Sequence, residues 1–170
     1  ANSDYGLQYS SLYAPRSLRK ALTSVDQTGK VLYGNADLKI ANNVETSSAD
    51  HSPIIGWSYD GYPIYGPYGY LTKSGGVVSQ MKSGYKINLK SNRPPESIFP
   101  EGFFVEDYTH YDLSDETVLD ENNGRFCITP EFPEGTYAYF ATINTLTVDS
   151  SGPFLNFKRP TFPYLIGENY

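Results

Sequence analysis

A mainly β fold is predicted for this chain: a single antiparallel sandwich- or barrel-like domain with one or two short helices and long Gly/Pro/Tyr-rich loops. Three observations predict it. The chain has 170 residues, the usual size of one domain and enough to bury a core without metal or disulfide staples. Its 16 Tyr, 15 Gly and 12 Pro weigh against helices and toward strands joined by turns. Finally, Thr136 to Ile143 reads as a strong strand after the turn at Glu134-Gly135, with Tyr137, Tyr139 and Ala141 on one side and Ala138, Phe140 and Thr142 on the other. Both faces are apolar or aromatic, which places this strand centrally.

Along the chain, Pro15 to Val25 carries Leu18, Ala21, Leu22 and Val25 at helical spacing and predicts a short amphipathic helix. Asp26 to Gly29 reads as a turn into the apolar pair Val31-Leu32, and Asn42 to Asp50 as a polar loop. Val77 to Leu89 is strand-like in part. Arg93-Pro94-Pro95 cannot continue a central strand, because proline lacks the ladder donor. Phe103-Phe104-Val105 is expected as an apolar strand leading into the acidic stretch Glu106 to Glu121. Asp120 to Gly124 reads as an Asx turn, its side-chain oxygens accepting from their own backbone. The segment from Phe157 to Tyr170 is expected to close the fold as an extended run.

Residues 51 to 70, HSPIIGWSYDGYPIYGPYGY, are the most unusual part. Tyr59, Tyr62, Tyr65 and Tyr68 recur every three residues, a period that fits neither helix nor strand. A polyproline II run would bring the four rings onto one side. Nested turns at Asp60-Gly61 and Gly66-Pro67 are the other reading. Tyr combines a large ring with a hydroxyl that needs a partner, so the cluster suits a half-buried wall or a sugar-stacking surface. Core plus rim is the simpler reading, and Trp57 is expected in the core.

The net charge of -6 and pI near 4.8 argue against a surface that tracks phosphates, so nucleic acid is not an expected partner. No run approaches the roughly 18 apolar residues of a membrane helix, and membrane insertion is not expected. The chain begins at Ala1, and a segment of a longer polypeptide is the expectation.

Cys127 is the one cysteine, so the chain can form neither an internal disulfide nor a Cys-based zinc site; between Phe126 and Ile128 it is expected to be a buried thiol. His51 and His110 sit in local contexts typical of surface or loop residues, which leaves no assembled nucleophile and base. Paired carboxylates such as Glu131 with Glu134, or Asp115 with Asp120, are too common in loops to define a hydrolase. No catalytic residue and no enzymatic activity are expected. Calcium is the one cofactor the acidic stretch could hold, through Asp115, Asp120 and Glu121, although the spacing does not follow an EF-hand loop.

Residues 52 to 70 (SPIIGWSYDGYPIYGPYGY), 119 to 125 (LDENNGR), 134 to 140 (EGTYAYF) and 162 to 167 (FPYLIG) follow in order the pattern of the YHYH domain family. The chain resembles that family, in the form carried by large structural proteins of T4-like marine cyanophages, which similarly combine these blocks with segments like Thr129 to Pro133 and Phe157 to Pro160. Where the namesake Tyr-His-Tyr-His would stand, this chain has Tyr137-Ala138-Tyr139-Phe140, without imidazoles. Cellular members carry Cys at the positions of Asn122 and Glu168, and the resemblance implies a discarded disulfide.

What the resemblance implies is a virion structural domain of a tail, baseplate or fibre protein, located in the extracellular particle, which assembles with other virion chains or with its own copies and contributes to host-surface attachment. The alternative is a carbohydrate-binding module in which exposed Tyr faces stack on a host-surface glycan, with Asp60, Asn122 or Asn144 fixing hydroxyls. The candidate ligand-binding residues are Tyr59, Asp60, Tyr62, Tyr65, Tyr68, Tyr137 and Tyr139.

Overall fold

The structure is a computed structural model that describes residues 50–144 and 160–164, together with the backbone of four strands between residues 24 and 48. It is mainly β, assembled from several small sheets without a closed barrel. Among the described residues the helical content is one 3-10 turn, Val105–Asp107.

Two hairpins come first: β1 (Ser24–Val25) with β2 (Val31–Tyr33), and β3 (Leu38–Ala41) with β4 (Val44–Ser48). The expected helix at Pro15 to Val25 lies outside the described residues except for Ser24 and Val25, which are strand. The expected polar loop at Asn42 to Asp50 contains β4 instead. Antiparallel backbone pairing with β3 outweighs the polarity of this segment.

The central sheet has the order β11-β12-β6-β5, from β5 (Ile54–Trp57), β6 (Pro63–Tyr65), β11 (Gly124–Cys127) and β12 (Thr136–Phe140). β12 is central, as its two-sided apolar pattern predicts, antiparallel to β11 and parallel to β6. Beside this sheet runs the hairpin of β7 (Tyr68–Thr72) and β8 (Gly75–Gln80). A further pair, β9 (Tyr85–Ile87) and β10 (Tyr108–His110), frames the loop that contains Arg93-Pro94-Pro95.

The core lies between the central sheet and the β7–β8 hairpin. It contains Tyr65, Met81, Leu119, Cys127, Ala138 and Phe140, with Ile54 packed against it. Phe140 stacks on Tyr65 at 5.6 Å between ring centroids. The other layer meets Phe140 at Gly69, where a Cβ would stand 2.8 Å from the ring, so only glycine lets the hairpin come this close. Arg125 is buried here as well, giving hydrogen bonds from its guanidinium to the carbonyls of Glu116 and Tyr70 and lying 5.8 Å from the Phe140 ring centroid.

The tyrosine ladder is not a polyproline II run. Ser58 to Gly61 forms a turn between β5 and β6, with Gly61 N donating to Ser58 O at 3.0 Å and Gly61 at φ 86°. Of the two turns expected, the one at Asp60-Gly61 is found, while Gly66-Pro67 is a bend between β6 and β7 whose Gly66 N donates to Pro53 O. Tyr65 and Tyr68 point into the core while Tyr59 and Tyr62 remain outside.

Trp57, expected in the core, is 59 % exposed. It ends an edge strand whose alternation is shifted by an irregularity between Ile54 and Gly56, and its ring lies edge-on to Phe132 at 6.5 Å. The expected strand at Phe103-Phe104-Val105 is replaced by bends and the 3-10 turn. The Asp107 carboxylate accepts from Gly102 N at 3.0 Å and Phe104 N at 3.2 Å, which curls the chain around itself. Of the C-terminal segment, Pro160 bridges to Ile143 and Phe162 stacks on Tyr108 at 4.2 Å.

His51, expected on the surface, is buried against Tyr65, Tyr70 and Phe140. Nδ1 donates to Ser52 O at 2.8 Å, which leaves Nε2 as the unprotonated nitrogen. Burial, reinforced by Arg125, pulls its pKa from the usual 6.5 to about 4. The unfolded chain therefore takes up the proton first. Stability carried by neutral His51 is fully present above pH 6.5 and is lost as pH falls toward 4, by ~3 kcal/mol for a shift of this size. Urea unfolding of wild type and His51→Gln from pH 7.5 to 4 should show that much less acid loss in the variant. Phe140→Ala should cost ~3–5 kcal/mol at pH 7 by the same measurement.

Candidate functional site

Alternation along the central strands sends one set of side chains into the core and the other onto the outer face. Because Phe140 and Ala138 face inward, Tyr137 and Tyr139 face outward, opposite Phe126 and Gly124 of β11. Ile64 of β6 pairs with Tyr139, and Tyr62 stands two residues before it on the same side. The result is an aromatic face. Tyr62 meets Tyr137 edge-on at 5.5 Å, and Tyr137 meets Tyr139 at 5.1 Å.

Two glycines seat this face. A Cβ on Gly124 would stand 2.6 Å from the Tyr137 ring, and one on Gly135 would stand 2.8 Å from the ring of Phe126. Both rings thus lie directly on backbone. Gly135 also has φ 96°, a conformation disfavoured for other residues.

Each outward tyrosine holds a carboxylate. Tyr139 donates to Asp60 Oδ2 at 2.6 Å, and Asp60 Oδ1 accepts from the Ser58 hydroxyl and from Tyr62 N at 3.0 Å. Burial pushes the Asp60 carboxyl up, but the hydrogen bonds from Ser58, Tyr139 and Tyr62 outweigh it and hold the group below its ordinary value. Tyr137 donates to Asp120 Oδ2 at 2.7 Å, while Asp120 Oδ1 accepts from Asn122 N and Gly124 N, both at 3.0 Å. Burial and then the bond to Asp120 drive the Tyr137 phenol above its usual range.

The Asx turn expected at Asp120 to Gly124 is therefore present. Its fourth residue carries more than the sequence suggested. Asn123 is fully buried at φ 61°, with Nδ2 donating to Phe140 O at 2.7 Å and its own carbonyl accepting from Phe140 N at 3.1 Å. It locks the turn onto the central strand.

Of the predicted ligand-binding residues, Tyr59, Asp60, Tyr62 and Tyr137 come together at this face, while Tyr139, 3 % exposed, is buried beneath it and reaches it only through its hydroxyl on Asp60. Tyr59 is fully exposed at the tip of the Ser58–Gly61 turn, and Tyr62 is 42 % exposed. Tyr65 and Tyr68 do not join them. Tyr65 is 0 % exposed, its hydroxyl bonded to Thr129 and Glu131 at 2.9 Å, so neither buried ring can offer a face to a ligand. Phe126 was not among the predicted site residues, yet it is exposed opposite Tyr137, whereas Trp57 pairs with the buried Pro63 and meets Phe132 on the other side of the sheet. The signal for Phe126 was its cross-strand register with Tyr137.

The calcium expectation is not supported by the geometry. Among the described residues no three His, Cys, Asp or Glu converge as a metal site. Asp115 Oδ1 accepts from the Thr117 hydroxyl at 2.6 Å and its other oxygen from Lys82 at 2.9 Å; these bonds, Thr117 first, hold its carboxyl at about 2. Asp120 is engaged by Tyr137 and the backbone. The remaining nucleophilic and basic groups lie away from the face: Cys127 is buried in the core, where burial pushes its thiol up, and His110 Nε2 lies 3.0 Å from Leu119 O.

The fold and site define a tyrosine-rich β domain whose aromatic face is seated on glycine and fixed by two Tyr–Asp pairs. The chain belongs to the YHYH protein family, whose model matches residues 18–151, a span that contains the whole of this face. No curated protein and no solved structure matches it.

Gly124→Ala should force Tyr137 off its seat and cost ~1–3 kcal/mol in urea unfolding, as overpacking does. Most of that cost should vanish in the Gly124→Ala, Tyr137→Ala background. Tyr139→Phe removes a donor to Asp60, so the Asp60 carboxyl should titrate at higher pH, read by carbon NMR of the side chain.

Proposed function

We propose that this chain is a non-catalytic assembly and attachment domain of a phage virion structural protein, of the tail, baseplate or fibre type. Its partners are other virion chains, copies of itself included. The observation that supports this reading is the aromatic face: exposed Tyr59, Tyr62 and Phe126 stand beside Tyr–Asp pairs already fixed by hydrogen bonds. Rigid aromatic side chains with a polar tip bury much area at small entropic cost, and such groups are enriched where proteins meet. The viral setting rests on the sequence resemblance to cyanophage structural proteins.

Host-surface attachment through a glycan is the second reading, favoured by the pairing of an exposed Tyr62 ring with a fixed Asp60 carboxylate, a stacking surface beside a hydroxyl acceptor. A glycan array and host-cell binding assay on the purified chain separates the two. Under attachment, saturable binding is expected that Tyr59→Ala and Tyr62→Ala each weaken at least ~fivefold. Under assembly alone, the array stays blank, and the same variants instead weaken association with neighbouring virion chains. Failure of both assays would sink the proposal.

A further inference from the structure

A second candidate site lies away from the aromatic face, in the loop between β9 and β10. A cavity of about 310 Å³ opens there, lined by Lys90, Asn92, Arg93, Pro94, Phe104, Glu106 and Asp107. This is the lower end of the roughly 300–1,000 Å³ typical of small-molecule pockets, which suits a ligand of one or two rings.

The walls are preformed. Arg93 Nε and Nη2 donate to the two Asp107 oxygens at 2.6 and 3.0 Å, and the side chains of the pair are only 6 % and 3 % exposed. Asp107 also accepts from Gly102 N and Phe104 N, while Arg93 donates to the carbonyls of Pro94 and Pro100. Phe104 is braced by Phe99 and Phe103 at 5.1 and 5.0 Å. The ion pair therefore builds the cavity, and its charges are already answered by each other.

What remains to meet a ligand is an apolar pair, Phe104 and Pro94, and a polar set on exposed residues, Lys90, Asn92 and Glu106. Lys90 only donates, a Glu106 carboxylate only accepts, and the Asn92 amide does both. One cation and one anion balance, so the site has no net preference for a charged ligand. An apolar wall with mixed donors and acceptors and no net charge matches a sugar ring, whose C–H face is apolar and whose hydroxyls both donate and accept.

We infer that this cavity binds a neutral hexose, as a free sugar or the end of a glycan chain. The inference is independent of the aromatic face and stands or falls separately from the function proposed above.

The test is ligand-observed and amide-shift NMR on the full 170-residue chain with D-glucose, D-galactose, D-mannose and N-acetylglucosamine, and with glucuronate as the charged control. Saturable shifts at Asn92, Gly102 and Phe104 are expected for at least one neutral sugar, with glucuronate weaker. Asn92→Ala and Glu106→Gln, both at exposed positions, should each weaken binding about tenfold, and Val77→Ala, at an exposed position on β8, should leave it unchanged. Absence of saturable binding across the neutral panel, equal or tighter binding of glucuronate, or shifts confined to residues 59–62 would each overturn the assignment.

Discussion

The stacking of Phe140 on Tyr65, across the parallel pair of β12 and β6, is the contact on which the rest of the structure depends. It joins strands far apart in sequence, so its loop-closure cost is high and must be repaid by burial. Both rings are fully buried, and the hairpin above them can close only because Gly69 offers no side chain to the Phe140 edge. Asn123 then fixes the same strand from the other side, using both its backbone carbonyl and its amide on Phe140. Register of β12 is thus set by three constraints that agree: ring packing, glycine contact and a buried amide. Since alternation has a period of two, that register also decides which tyrosines face away from Phe140.

The outer face inherits this rigidity through its carboxylates. Asp120 belongs to the turn that ends in Asn123 and also accepts from Tyr137, so the turn that locks the core positions a surface ring. Asp60 does the same on the other edge, closing its turn through Ser58 and Tyr62 while receiving Tyr139. Neither pair is a surface salt bridge, where side-chain entropy offsets most of the gain. Each is a charge-assisted hydrogen bond to a group the local backbone has already oriented, which makes it a stronger anchor.

Features that depend on local chemistry were legible in the sequence. The Asx turn at Asp120, the central strand from Thr136, which ends at Phe140 rather than at the expected Ile143, the turn at Asp60-Gly61 and the buried thiol of Cys127 follow from residue type and alternation. Features that depend on a distant partner were not. His51 reads as a loop residue because its aromatic cage comes from Tyr65, Tyr70 and Phe140. Phe103 to Val105 reads as a strand because nothing local shows that Asp107, paired with Arg93, will draw the backbone into a turn. The tyrosine ladder failed for a third reason: its period of three belongs to no single element, since a turn and two strands divide it, and that division sent two rings inward and two outward.

The same split between inward and outward rings governs Tyr137-Ala138-Tyr139-Phe140, whose second and fourth positions face inward and are fully buried. Position 138 pairs across the sheet with Arg125, and position 140 lies 5.9 Å from His51 and 5.8 Å from the Arg125 guanidinium. Imidazoles there would add polar groups to an interior that already holds a buried guanidinium and a neutral histidine, each needing a partner. Ala138 and Phe140 instead make the interior apolar around that pair. Tyr139 and Tyr137 lie on the opposite face, joined to Asp60 and Asp120, so this strand contributes packing on one side and its polar chemistry on the other.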